Sequence, residues 1–61
     1  MKNNIAVIRK EKGLLQKELA EKVGVSHWWL NNVENGKSQP GLQLLLRIAN
    51  ELEVTTNDLL N

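Results

Sequence analysis

No cysteine occurs in the sequence, which excludes a disulfide framework and any thiolate metal site. There is no tyrosine, and His27 is the lone histidine, so no imidazole cluster is available for a metal or a proton relay. Apolar runs are short. None approaches the roughly 20 residues that span a bilayer, and no charged start followed by an apolar stretch marks a signal peptide, so a cytoplasmic protein without membrane contact is expected. Catalysis needs converging groups such as a nucleophile with its base, a carboxylate pair or a metal cluster. The acidic residues here are scattered over helical faces and no enzyme activity or cofactor is expected.

What is present is aliphatic and helix-forming. Hydrophobic residues make up 41% of 61 residues, enough for one domain over residues 1–61. A chain this short buries only about 60% of its unfolded surface, so an all-helical bundle is the economical solution. A net charge of +1 says little about partners, but its distribution says more. The first third carries Lys2, Arg9, Lys10, Lys12, Lys17 and Lys22 against Glu11, Glu18 and Glu21, whereas the last eleven residues carry Glu51, Glu53 and Asp58 with no basic residue. The basic end is the side suited to phosphates, set against the alternative of an ordinary solvated surface.

The apolar spacing predicts five helices and no strand. Ile5, Ile8 and Ala6 mark a first helix over about Asn4 to Lys12, stopped by Gly13. Leu19, Ala20 and Val23 mark a second from about Gln16, ended by Gly24, which tolerates positive φ. Ser26 is an N-cap for a third helix, with Leu30 and Val33 inward and Gly36 as terminator. Pro40 lies just ahead of a fourth, on Leu42, Leu45, Ile48, Ala49 and Leu52. Thr55 and Asp58 form a weakened capping box opening a last turn with Leu59 and Leu60.

The stretch from Gln16 to Asn35 meets the steric needs of a helix-turn-helix. Ala20 is small where two helices cross, Gly24 makes the turn, and Val25, Leu30 and Val33 fill the shared core. That seam leaves His27, Trp28, Asn31 and Asn32 facing out, with Trp29 near the edge. The motifs, in order, are Ile8-Arg9 through Lys12-Gly13, Gln16-Lys17-Glu18-Leu19-Ala20, Gly24-Val25-Ser26, Glu34-Asn35-Gly36-Lys37, Pro40 with Leu42, and Arg47-Ile48-Ala49 leading to Leu52 and Val54. Together they resemble the lambda-repressor-like, Cro/C1-type helix-turn-helix regulators over nearly the whole length.

The resemblance implies a compact five-helix bundle that binds double-stranded DNA through the major groove and regulates transcription. It implies that Gln16 and Lys17 meet a phosphate at a helix N-terminus while Asn35 and Lys37 hold the other side. By position, Ser26, His27, Trp28 and Asn32 touch base edges, with Trp29 and Asn31 beside them. Asn32, whose amide pairs bidentately with adenine, and His27 are the leading polar readers. Arg9 and Glu34 are expected to pair across helices one and three as a structural unit. Two departures stand out. Leu15 replaces the usual short polar residue before the glutamine and forfeits a capping hydroxyl worth about 1 kcal/mol. Trp28 and Trp29 stand where small or amide side chains are common, and indoles pack on thymine methyls and sugar edges instead of reading donors and acceptors.

Plainer readings exist for the same residues. Trp29, and less so Trp28, suits packing on the scaffold, and His27 suits a solvated surface. The main competing function is a protein-interaction or dimerisation module with Trp28 and Trp29 as hot spots. Against it, Gln16, Lys17 and Lys37 bracket the exposed helix in a way useful for phosphates and wasteful for a protein. The resemblance allows a homodimer on DNA through the last helix, but Thr56, Asn57 and Asp58 there are polar, which favours a monomer in solution. Leu44 and Leu46 flank the helix-four row, and one of them is expected to be exposed.

Overall fold

Hydrophobic residues three and four apart build five helices in the computed structural model, which describes residues 3–60. They are α1 (Ile5–Glu11), α2 (Gln16–Val23), α3 (His27–Glu34), α4 (Leu42–Leu52) and α5 (Thr56–Leu60), with no strand among the described residues. The expected all-α five-helix architecture is therefore the observed one. Lys2 lies outside the described residues.

The core gathers one or more residues from every helix. Ile5, Leu19, Leu30, Ile48, Leu52, Leu59 and Val33 are fully buried, and Ala20, Val23, Leu45 and Ala49 nearly so. Each large aliphatic side chain removed from water contributes about 1.5–3 kcal/mol before chain entropy is opposed to it. Ile8, Leu14, Val25, Trp29, Leu44 and Val54 pack around this centre at partial burial. The expected row on α4 needs one correction. Leu42 is 70% exposed, because it is the first residue of its helix and lies beyond the edge of the bundle, so the inward stripe is Leu45, Ile48, Ala49 and Leu52. Leu46 is the exposed member of its flanking pair and Leu44 the half-buried one, while Leu60 is exposed beside buried Leu59.

The boundaries follow local chemistry. Asn3 Oδ1 accepts the Ile5 N–H at 3.0 Å and Asn3 Nδ2 donates to the Val33 carbonyl at 2.8 Å, which moors the start of α1 to α3. Asn4 N–H donates to the Leu59 carbonyl at 2.8 Å, joining that end of α1 to α5. The Thr55–Asp58 box is complete, with each backbone N–H donating to the other residue's side chain, at 3.0 and 3.2 Å. One terminator has no signature in the sequence. Glu53 ends α4 at φ 59°, a left-handed conformation that costs a side-chain-bearing residue roughly 1 kcal/mol.

Candidate nucleic-acid interface

The junction of α2 and α3 forms the expected helix-turn-helix. Gly24, at φ 86°, lets the chain reverse, and the N–H groups of Gly24 and Val25 both donate to the Ala20 carbonyl, at 2.9 and 3.0 Å. Arg47 on α4 donates from Nη1 to the Val23 carbonyl at 3.2 Å, placing a cation at the C-terminal end of α2. Ser26 then caps α3 by accepting the Trp29 N–H on its hydroxyl at 3.0 Å. An α-helix such as α3, about 10–12 Å across with its side chains, fits the roughly 12 Å width of the major groove of B-DNA.

Burial divides α3 into two sides. Leu30, Val33 and Glu34 face the interior. Ser26, His27, Trp28 and Asn31 are exposed, with Trp28 at 74%, whereas Asn32 is half-buried and its carbonyl accepts the Lys37 N–H at 2.9 Å. Trp29 is turned toward the scaffold and packs against the core, the plainer of its two sequence readings. The outer side thus keeps His27 and Trp28 fully available and Asn32 at its margin.

Behind this side lies the ion pair anticipated from sequence. Arg9 Nε donates to Glu34 Oε2 at 2.8 Å and Nη2 to Oε1 at 3.2 Å, with both side chains almost fully buried. Arg9 Nη1 also donates to the Leu14 carbonyl at 2.8 Å, which positions the loop leading into α2. Gln16 Nε2 donates to Glu34 Oε1 at 3.0 Å, so its amide is engaged in this network. Every buried side-chain nitrogen and oxygen among the described residues has a partner, as buried charge requires.

The flanking cations stand clear. Lys17, in the first turn of α2, and Lys37, beyond α3, are both exposed. Leu15 occupies the N-cap position of α2 with no side-chain cap and is 66% exposed; only the reciprocal half of a capping box remains, the Leu15 N–H donating to Glu18 Oε1 at 2.8 Å. Asn35 donates from Nδ2 to both the carbonyl and the Oδ1 of Asn31. The roles of Asn3, Arg47 and the Asn31–Asn35 pair escaped sequence reading, although the last has the four-residue spacing that brings helical neighbours together.

This arrangement defines a helix-turn-helix domain. A helix-turn-helix family model matches residues 5–59, and the chain belongs to that family, within its lambda-repressor-like branch of transcriptional regulators. It is 43% identical over 54 residues to the transcriptional regulator SinR of Bacillus licheniformis, covering 87% of this chain and 49% of SinR. An uncharacterized HTH-type regulator of Methanothermobacter thermautotrophicus is 46% identical over 52 residues, 85% of this chain and 75% of its own. Among solved structures, SinR in complex with DNA superposes with a TM-score of 0.80 at 37% identity, covering 87% of this chain and 86% of that one. The controller protein C.AhdI of Aeromonas hydrophila gives 0.83 at 28% identity, over 88% and 82% of the two chains. The chain spans about half the length of the SinR relatives it matches, 49% of each. These relatives are regulators of transcription, not enzymes. No helix of the described residues is long and apolar enough to cross a membrane.

Proposed function

We propose that the protein reads a specific double-stranded DNA sequence with α3 in the major groove and regulates transcription from it. The observation that carries this reading is the separation of faces on α3. His27 and Trp28 are free of the core while Leu30, Val33 and Glu34 fix the helix from behind. His27 and Asn32 supply polar contacts to base edges, and Trp28 supplies apolar contact to a thymine methyl or a sugar edge. Ser26 opens the reading helix and Trp29 supports it from the scaffold side. Lys17 and Lys37, with Gln16 and Asn35 beside them, grip phosphates on either side.

A gel shift with random-sequence duplex at low salt, followed by selection from a randomised duplex library, tests the proposal. Binding to random duplex, with enrichment of one motif in the selection, is expected. Absence of any shift at low salt would instead favour the protein-interaction alternative. We further infer a monomer in solution, because Asn57 and Asp58 on α5 are exposed and polar. Sedimentation showing a concentration-dependent dimer would overturn that inference.

A further inference from the structure

We propose that Asn35 is a site of spontaneous deamidation, held shut by Asn31 in the folded protein, and that its conversion to a carboxylate lowers the affinity for DNA. Asn35-Gly36 is the one Asn-Gly step in the sequence. Asparagine is the thermolabile partner of such a step, and glycine, without a Cβ, leaves its backbone nitrogen open to the neighbouring side chain. The chemistry needs only water. The Gly36 nitrogen attacks Cγ of Asn35, the N–Cγ bond forms as the Cγ–Nδ2 bond breaks, and Nδ2 leaves as ammonia with the proton that Gly36 gave up. Water then opens the five-membered imide at either carbonyl, leaving aspartate or isoaspartate and a new negative charge. Asn35 is exposed, so water reaches it.

The folded end of α3 opposes ring closure in three ways. Closure requires the Gly36 nitrogen on the side of the Asn35 Cβ, but Asn35, at ψ 2°, holds that nitrogen eclipsed with its own. The Gly36 N–H donates to the Val33 carbonyl at 3.1 Å, which retains the proton that must leave. Asn35 Nδ2, the leaving group, donates to the Asn31 carbonyl at 2.9 Å and to Asn31 Oδ1, which keeps the amide turned back along the helix. Of these restraints, the Asn31 side chain is the one that a substitution removes without touching the backbone. Conversion undoes the cap. A carboxylate brings only acceptors to the Asn31 carbonyl and Oδ1, which accept as well, and it sets a negative charge at the negative end of the helix. Under the DNA-binding reading above, on which this last part rests, the same charge faces the phosphate that Asn35 meets, so the change is a one-way loss of binding.

Mass spectrometry of the peptide carrying residues 35 and 36, which gains about 1 Da on conversion, follows the parent, Asn31→Ala and Ile48→Val at mildly alkaline pH, each in native buffer and in concentrated urea. In urea all three are expected to convert first at Asn35 and at one rate. In native buffer the parent is expected to be slower by roughly tenfold or more, since local opening breaks several hydrogen bonds. Asn31→Ala is expected to convert about two- to tenfold faster than the parent there, the worth of one hydrogen bond. Ile48→Val, which loosens the core from α4 and leaves the cap intact, is expected to keep the parent rate. Conversion first at another asparagine overturns the site. Equal parent rates in native buffer and urea, an Asn31→Ala rate equal to the parent's, or equal acceleration by Ile48→Val each overturns the restraint by Asn31. Asn35→Asp is expected to bind a short random-sequence duplex at low salt roughly tenfold more weakly than the parent, and equal binding overturns the loss of affinity. A parent that binds no duplex removes the DNA-binding reading and the loss of affinity with it, while the mass readout, which involves no DNA, decides the site by itself.

Discussion

Arg9 and Glu34 meet through two N–H···O contacts, Nε to Oε2 at 2.8 Å and Nη2 to Oε1 at 3.2 Å, and the second oxygen is shared with the Gln16 amide at 3.0 Å. The carboxylate thus joins α1, the start of α2 and the end of α3. Removing it leaves a guanidinium nearly buried without a counter-charge. Glu34→Ala should destabilise the fold by about 3 kcal/mol, the usual scale for breaking a buried pair on one side only. Thermal melting without DNA measures this, and a melting temperature equal to the parent's would show that the pair contributes nothing.

Phosphate binding by the flanking lysines makes a different kind of prediction. Lys17→Ala and Lys37→Ala should each weaken binding to every duplex and flatten the log-log salt dependence by about 0.9 for each phosphate no longer neutralised. Binding isotherms over a salt series read both quantities. Unchanged slopes in both variants would remove these lysines from the interface.

Trp28 and Asn32 should govern sequence choice instead. Asn32→Ala should cost about 1–3 kcal/mol on the preferred site and relax selection at one base pair, most simply an adenine. Trp28→Ala should weaken specific binding with little change in stability, since the indole is 74% exposed. Replacing the contacted thymine by uracil should reproduce part of that loss. Library selections on both variants that returned the parental preferences at every position would show that α3 is not the reader.

Glu53 holds a left-handed conformation at φ 59° while bearing a side chain. Glycine meets no such cost, and Glu53→Gly should stabilise the protein by roughly 0.5–1 kcal/mol after its extra unfolded-state entropy is counted. A higher denaturation midpoint in urea at unchanged slope is the expected result.

The Asp58 carboxyl is held below its ordinary value of 3.8, first by the Thr55 backbone N–H and then by the Thr55 side chain. A lowered folded-state value means that the capping interaction is fully present above the unfolded value, near pH 4, and is lost as pH falls through the folded one. Melting temperature measured from neutral pH downward should therefore drop less in Asp58→Asn than in the parent over the acid range. Parallel curves would show that the cap does not couple to protonation.

Much of the fold is legible in the sequence, for reasons that differ by residue. Gly13 and Gly24 stand at left-handed positions, as glycine at a helix end implies, and Ser26 caps the helix that its hydroxyl predicts. Ile48 and Leu52 lie inward because a four-residue spacing keeps them on one face. Leu42 shares that spacing with its row, yet periodicity fixes only direction and not how far the neighbouring helices extend, so its exposure is hidden. Glu53 is hidden because, unlike Gly13 and Gly24, its residue type carries no signal of a left-handed turn. At the interface, the outward set on α3 follows from the inward Leu30 and Val33. The engagement of Gln16 by Glu34, and of Asn31 by Asn35, depends on rotamers that a sequence does not specify.

The division of α3 also bears on how such a protein changes its target. Leu30, Val33 and Glu34 hold the helix in place, while His27 and Trp28 carry none of the core. Under the reading proposed above, substitutions at those two outer positions are released from selection for folding and answer to the DNA alone. A lineage built on this scaffold is free to drift from one operator to another in single steps, each step passing through a folded protein.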